Sequence, residues 1–179
     1  MTFGKLEVFS DLSERVGYNL AGFPMYVSWG ELRFFRRYCV ACHWHPDLEY
    51  IHVLDGEMEY FINGQIVPLK KGEGIFINSK RLHYNYSKDS ANCIYITAVI
   101  HPALLGSETP FGKKYFESAF GFAKEDYILL SQDIEWQKEA LQKITDLYSE
   151  MHRPDCSCLR LLAQVNSLCA GIADNIQTA

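Results

Sequence analysis

The sequence predicts a mainly β fold, an antiparallel sandwich or barrel, followed by a C-terminal antiparallel helix hairpin. Two observations predict the β part: short runs of alternating or apolar residues recur up to Ile100, and tight-turn pairs separate some of them. Asp55-Gly56 and Asn63-Gly64 are such pairs, because two-residue hairpin turns need a positive φ that Gly and Asn tolerate. A third observation, apolar residues at helical spacing after Asp133, predicts the helices.

The strand candidates follow one another with short interruptions. Gly30 separates the first two, and residues 70–74 break the pattern before a short buried strand. The candidates are residues 25–29, 31–38, 50–54, 57–62, 65–69, 75–77 and 92–100. Short strands and closely spaced turns, with no helix between them, favour an antiparallel sandwich or barrel.

The chain changes character after Ile100. Pro and Gly residues between 102 and 112 mark a connector, and residues 113–122 are a short helix candidate. A longer amphipathic helix begins near Asp133, which is available as its N-cap, and a second covers roughly residues 157–176. We therefore divide the chain into a β domain with an N-terminal arm, residues 1–105, and a connector with a helix hairpin, residues 106–179.

The composition is that of an ordinary globular chain. Its 179 residues, 48% of them apolar, suffice for one domain with an appendage. With 17 Lys and Arg against 22 Asp and Glu, this part of the protein is not expected to bind nucleic acid by itself. There is no apolar run of membrane-spanning length and no secretory pattern at the start, so we expect a cytoplasmic location without membrane contact.

The six cysteines raise the question of a zinc site or disulfides. Cys39 and Cys42 are three residues apart, which in a regular strand puts the two thiols on opposite faces and disfavours a shared metal. Cys156 and Cys158 lie at a predicted helix start. Reduced, structural thiols are the expectation for all six cysteines.

Three histidines and a glutamate form the candidate functional site. Side chains alternate between the faces of a strand, so His43 and His45 point the same way, and Glu49 shares that direction if the chain stays extended. His83 can join them from a later strand. The set suits one divalent transition metal: zinc, iron, manganese or nickel. Two alternatives stay open, a metal-free effector pocket lined by the four side chains and a solvated position at the rim.

Four motifs carry a family resemblance, and the first has the spacing His-x-His, three residues, Glu, six residues, Gly. The motifs are His43-Trp44-His45-Pro46-Asp47-Leu48-Glu49, Leu54-Asp55-Gly56, Leu69-Lys70-Lys71-Gly72-Glu73-Gly74 and Ile100-His101-Pro102-Ala103-Leu104-Leu105. Together with His83 after a turn, they resemble the cupin superfamily and, more narrowly, the amino-terminal sensor domain of AraC-type transcription regulators. The resemblance implies a cupin-type jelly-roll barrel that binds an effector.

In AraC-type sensors an amino-terminal arm and the first strands lie over the mouth of the barrel. The resemblance therefore adds Tyr26 and Trp29 to the four residues above as effector-binding candidates, although such aromatics also fill cores. In that family the helix hairpin usually forms a homodimer, while a hairpin spent wholly on its own domain remains the alternative. DNA contact is expected only through a helix-turn-helix domain that is not in this chain, which stops at Ala179.

We thus expect the effector-sensing and dimerisation part of a transcription regulator, not an enzyme. The effector is a small molecule, and a sugar or related polyol fits the aromatic and polar candidates. The alternative is a small metal-dependent cupin enzyme, a dioxygenase or isomerase, in which Glu49 or a nearby Tyr handles a proton. Against it, the helix hairpin has no catalytic purpose, and no further acid or base stands out in the sequence.

Overall fold

The structure, a computed structural model, describes residues 6–179, so the first residues of the predicted arm lie outside it. The described strands are β1 (Glu7–Val8), β2 (Glu14–Arg15), β3 (Met25–Glu31), β4 (Leu48–Asp55), β5 (Glu57–Ile62), β6 (Gln65–Lys70), β7 (Gly74–Ile77), β8 (His83–Tyr86), β9 (Ile94–Ile100) and β10 (Tyr127–Leu130). The α-helices are α1 (Pro110–Phe120), α2 (Glu135–Met151) and α3 (Cys158–Ala173).

Two antiparallel sheets face each other across an apolar core. The larger has the strand order β10-β7-β4-β9-β3 and the smaller the order β6-β5-β8, while β1 and β2 form a separate pair. Ile51 and Ile77 from the larger sheet pack with Tyr60 and Leu69 from the smaller, and each is at most 1% exposed. The predicted antiparallel β-sandwich or barrel is therefore confirmed.

The helix hairpin covers the outer face of the larger sheet. Side chains alternate along β4, so Tyr50 and His52 point away from the core between the sheets and toward the helices. On this outer face the Tyr50 hydroxyl lies 3.3 Å from the Cys169 sulfur in α3. His52 Nδ1 lies 3.0 Å from the Thr145 hydroxyl in α2. A second apolar cluster fills this layer and contains Leu147 and Val165, both 0% exposed. The predicted C-terminal helix pair is confirmed, with one face packed on the β domain.

Two local predictions were wrong. Residues 31–38 do not form a strand, because β3 runs through Gly30 to Glu31 and two 3-10 turns follow. Gly30 does not interrupt the strand; a Cβ there would lie 3.1 Å from the Tyr95 ring, so its small size allows close packing. Asp133 is also not the N-cap of α2, since Ile134 holds that position without a side-chain hydrogen bond. The Asp133 carboxylate instead accepts from the Ser131 hydroxyl at 3.3 Å.

The predicted placement of Cys39 and Cys42 on opposite faces was wrong as well. Backbone β-bridges pair Cys39 with Tyr86 and His43 with His83. The chain therefore advances four residues on one side of the pairing and three on the other. The extra residue is a bulge, which shifts the alternation by one position. As a result Cys39 is exposed, Cys42 is half-buried and both line the same surface depression. All six cysteines carry free thiols.

The part of the chain after residue 105 contributes a strand that the sequence analysis did not predict. β10 pairs with β7 from Tyr127↔Ile77 to Leu130↔Gly74 and forms one edge of the larger sheet. The division of the chain at residue 105 stays a prediction, although this strand and the helices join the β part through shared packing. Within residues 6–179, no helix is long and apolar enough to cross a membrane.

Truncating the buried face of α2 should destabilise the whole molecule. Leu147 is 0% exposed, so Leu147→Ala removes apolar contacts and leaves a cavity. We expect the free energy of unfolding to fall by about 2–5 kcal/mol in urea titrations. The matched control is Leu159→Ala in α3, where the side chain is 80% exposed and the change should stay within about 0.5 kcal/mol. Equal effects of the two substitutions would contradict the packing of the hairpin on the sheet.

Candidate metal centre

The structure brings the four predicted cluster residues together. One ligand atom from each of His43, His45, Glu49 and His83 can be chosen so that all four lie within 4.8 Å of one another. The four residues are buried, with exposed fractions of 4%, 2%, 6% and 1% in that order. Atoms bound about 2 Å from one ion lie ~3–4 Å apart, so a small contraction would bring these four atoms to a common centre.

The ligands come from both sheets. Glu49 points inward from β4 in the larger sheet, in the same row as Ile51 and Val53. His83 begins β8 in the smaller sheet, and its backbone pairs with that of His43 through N–O distances of 2.9 and 3.0 Å. His45 follows at the position that shares the face of His43. The site therefore exists only when the two sheets are packed against each other.

Backbone carbonyls fix the orientation of two of the imidazole rings. His43 Nδ1 lies 2.7 Å from the Ala41 oxygen, and His83 Nδ1 lies 2.7 Å from the Arg81 oxygen. A carbonyl oxygen can only accept, so each Nδ1 donates a proton and each ring turns its Nε2 toward the cluster. Metal-binding histidines are held by this kind of second hydrogen bond.

The Glu49 carboxylate lies at the centre of the contacts. Its Oε2 is 3.0 Å from His45 Nε2 and 3.0 Å from His83 Nε2, and its Oε1 accepts from the Tyr60 hydroxyl at 2.6 Å. Burial raises the pKa of Glu49, but the charge of His83 and the hydrogen bonds from both rings outweigh it, so the pKa lies well below its usual value. The carboxylate is thus held in its anionic, metal-binding form.

The histidines differ in protonation. Burial, together with the charge of His83, lowers the pKa of His43 to about 3, so this ring is neutral at physiological pH and its Nε2 is free to bind a metal. Burial also lowers the pKa of His45, but hydrogen bonding to Glu49 and the Glu49 charge raise it by more. The buried Nδ1 of His45 has no hydrogen-bond partner, because Asp47 Oδ2 is too distant at 3.7 Å.

Four polar residues around the cluster were missed by the sequence analysis. Tyr60 and Asp47 had a weak signal, since both fall on inward positions of their segments; Asp47 is 1% exposed and accepts from the Tyr18 hydroxyl at 2.8 Å. Glu14 places Oε2 3.4 Å from His43 Nε2, and burial raises its pKa to about 7 despite the opposing charge of His45. Nothing in the local sequence marks Glu14 or Tyr18, because their positions depend on how the arm docks.

The two aromatic effector candidates lie on different faces of β3. Tyr26 pairs with Val99, which pairs with Glu49 on the next strand, so Tyr26 belongs to the inward row of the larger sheet. Trp29 shares its face with Met25 and Val27, which pack toward the helices, and it is 36% exposed. The structure therefore places Trp29 away from the cluster side of the sheet, because it lies three residues from Tyr26 in the same strand and side chains alternate between faces.

The comparisons with known proteins identify a domain and one distant relative. Residues 40–99 match the family model described as Cupin domain, and all four cluster residues lie in that range. The chain is 26% identical over 114 residues to the uncharacterized HTH-type transcriptional regulator YdeC of Bacillus subtilis (strain 168). The match covers 62% of this chain but 39% of the regulator, so the chain spans well under half of that relative.

Solved structures with partial similarity include two enzymes. One is a predicted oxalate decarboxylase from Thermotoga maritima, with 26% identity over 35% of this chain and 56% of that chain and a TM-score of 0.34. Another is a salicylate 1,2-dioxygenase from Pseudaminobacter salicylatoxidans, with 18% identity over 42% of this chain and 21% of that chain and a TM-score of 0.38. At these TM-scores neither likeness bears on the activity of this chain.

The family match and the cluster geometry concern the same segment, residues 40–99. The donor set is three imidazoles and one ionised carboxylate, and carbonyl hydrogen bonds aim two of the rings. These features fit one divalent transition metal. Residues 40–99 of this chain are a cupin domain, and it contains a buried His-His-Glu-His cluster compatible with one metal ion.

Proposed function

We propose that this chain is the effector-sensing and dimerisation part of an AraC-type transcription regulator. The observation that carries the proposal is the similarity of this chain to an HTH-type regulator. The match covers only 39% of that regulator. The remaining length leaves room for a helix-turn-helix segment that contacts DNA. The slightly acidic composition of this chain agrees with a part that does not bind DNA itself.

The effector site is the metal cluster inside the barrel. His43, His45 and His83 offer ring nitrogens and Glu49 a carboxylate oxygen to one zinc, iron, manganese or nickel ion. Such an ion supplies a Lewis acid that can bind an oxygen of the effector. Tyr60 holds the second oxygen of Glu49 and so keeps the first turned toward the cluster. A sugar or another small molecule rich in oxygen atoms suits this site, with Tyr26 as a further contact from the inward face of β3.

Dimerisation is assigned to the outward face of α3. No charged residue occurs in this helix after Arg160, and Ala163, Asn166 and Ala170 are exposed there. Depletion of charge is typical of the centre of a subunit interface. Two copies related by a twofold axis would present paired DNA-binding units to paired half-sites.

One observation favours the alternative, a metal-dependent cupin enzyme. The sequence offered no acid or base beyond the ligands, whereas the structure places the Glu14 carboxyl 3.4 Å from His43 Nε2 with a pKa raised to about 7, mainly by burial. A group with such a pKa can exchange a proton near neutral pH. A dioxygenase or isomerase would need such a group beside the metal.

Metal content tests the site directly. The purified protein should contain close to one transition-metal ion per chain by elemental analysis, and the double variant His43→Ala, His45→Ala should contain none. His152→Ala is the control, since His152 lies at the exposed end of α2 and should leave the metal content unchanged. Absence of metal from the unaltered protein, even after incubation with zinc or manganese, would contradict a metal centre.

Ligand binding without turnover distinguishes a sensor from an enzyme. A saturating effector, at about a hundred times its Kd, should stabilise the metal-loaded protein by about 2.7 kcal/mol and raise Tm by ~5–10 °C. Sugars and polyols are screened by thermal shift, and the molecule that binds is then recovered and analysed by mass spectrometry. Recovery of the unchanged molecule supports the sensor, whereas its conversion would establish the enzyme.

The oligomeric state tests the second half of the proposal. The protein should sediment as a dimer at tens of micromolar, an order of magnitude typical of weak symmetric interfaces. Ala163→Arg places a charge on the uncharged face of α3 and should shift the protein to monomer. Gln142→Arg, on the exposed face of α2, should not. A monomeric unaltered protein, or equal effects of both variants, would rule out α3 as the dimer interface.

A further inference from the structure

The amino-terminal arm, residues 6–24, is hydrogen-bonded to the segment that carries two of the cluster ligands. The Glu14 amide donates to the Trp44 carbonyl at 2.9 Å, and the Trp44 amide donates to the Leu12 carbonyl at 2.9 Å. Trp44 also donates its ring N–H to the Asp11 carbonyl at 3.1 Å. Because Trp44 stands between His43 and His45, the arm is hydrogen-bonded directly to the backbone segment that carries both ligands.

The arm is only partly buried, with Leu6, Leu20 and Phe23 packed against the two apolar clusters. No residue from 6 to 24 is fully buried, and Phe9 and Leu12 are 43% and 40% exposed. The side chains of the arm that reach the cluster are polar: Glu14 approaches His43, and Tyr18 donates to Asp47 at 2.8 Å. An additional bond at this end of the arm would therefore change its stability more than it would in a well-packed segment.

The contact between Glu14 and His43 has a proton donor only when Glu14 is protonated. His43 donates its Nδ1 proton to Ala41 and turns the lone pair of Nε2 toward Glu14 Oε2 at 3.4 Å. Two acceptors thus face each other, unless Glu14 is itself protonated. Two ligand atoms bound about 2.1 Å from the same ion at a tetrahedral angle lie ~3.4 Å apart. The geometry therefore has the spacing of two neighbouring ligands of one cation.

We propose that Glu14 is an additional metal ligand carried by the arm, and that an ion in the cluster fastens the arm to the barrel. The inference rests on the proposed metal centre. The Glu14 oxygen approaches His43 but lies outside the compact group of ligand atoms, which comprises His43, His45, Glu49 and His83. A movement of the Glu14 side chain and arm toward the ion completes the coordination, and this movement makes the position of the arm depend on the metal.

Hydrogen exchange of the arm with and without zinc tests this inference on the full chain. In the metal-stripped protein, amides of residues 7–18 should exchange quickly, and one equivalent of zinc should slow their exchange at least about tenfold. Glu14→Gln keeps the size of the side chain but not its charge. The variant should lose this protection and bind zinc about 10–100-fold more weakly, measured by competition with a chelating dye.

Glu7→Gln is the control on the same strand pair, because the Glu7 carboxylate is exposed and pairs with Arg15. This control variant should behave like the unaltered protein.

The outcomes separate this inference from the metal centre itself. Zinc binding that requires His43 and His45 but is unaffected by Glu14→Gln would keep the metal centre and overturn the role of Glu14. Full zinc binding with no slowing of arm exchange would do the same. Failure of the unaltered protein to bind zinc would overturn both.

Discussion

The buried carboxylate of Glu49 is the constraint on which the rest of the structure depends. Burying an ionised carboxylate costs several kcal/mol unless hydrogen bonds and opposite charges compensate. The partners of Glu49 come from three places along the chain: Tyr60 in β5, His45 before β4 and His83 in β8. They meet only when the smaller sheet closes over the larger one. Folding of the barrel and assembly of the site therefore occur together.

Counting donors explains why the cluster suits a cation. A neutral imidazole has a single N–H, so a neutral ring whose Nδ1 donates to a backbone carbonyl, as at His43 and His83, leaves Nε2 as an acceptor. With both rings neutral, as metal binding requires, the inner side of the cluster is rich in lone pairs, and Glu49 and Glu14 add carboxylate oxygens. One proton can bridge only two of these acceptor atoms, whereas one metal ion can bind several of them at once. The backbone carbonyls set this preference before any ion binds, because they fix which ring nitrogen carries the hydrogen.

Features governed by local sequence could be predicted, and those governed by distant contacts could not. The alternation of strand residues and the Asp-Gly and Asn-Gly turns gave the barrel and placed His43, His45 and Glu49 on one face. Gly30 lies inside β3 against the Tyr95 ring, a contact between strands that the local sequence does not reveal, and the face of Cys42 depends on a bulge opposite β8. Trp29 became an effector candidate through the family resemblance, yet its position in β3 turns it toward the helix side. Glu14 reaches the cluster through docking of the arm, for which the sequence has no periodic signal.

Arg81 connects the cluster with the C-terminal end of the chain. Its carbonyl accepts from His83, while its guanidinium donates to the carbonyls of Phe122 and Lys124 and to the Asp126 carboxylate. The segment that Arg81 holds is bonded in turn to the last residues, since the Ala179 amide donates to the Ala123 carbonyl at 2.8 Å. His83 and residues 122–126 cannot shift independently, because one side chain and its own carbonyl bind both. A ligand that moves His83 would therefore act on residues 122–126, and through them on the end of the chain, by way of Arg81.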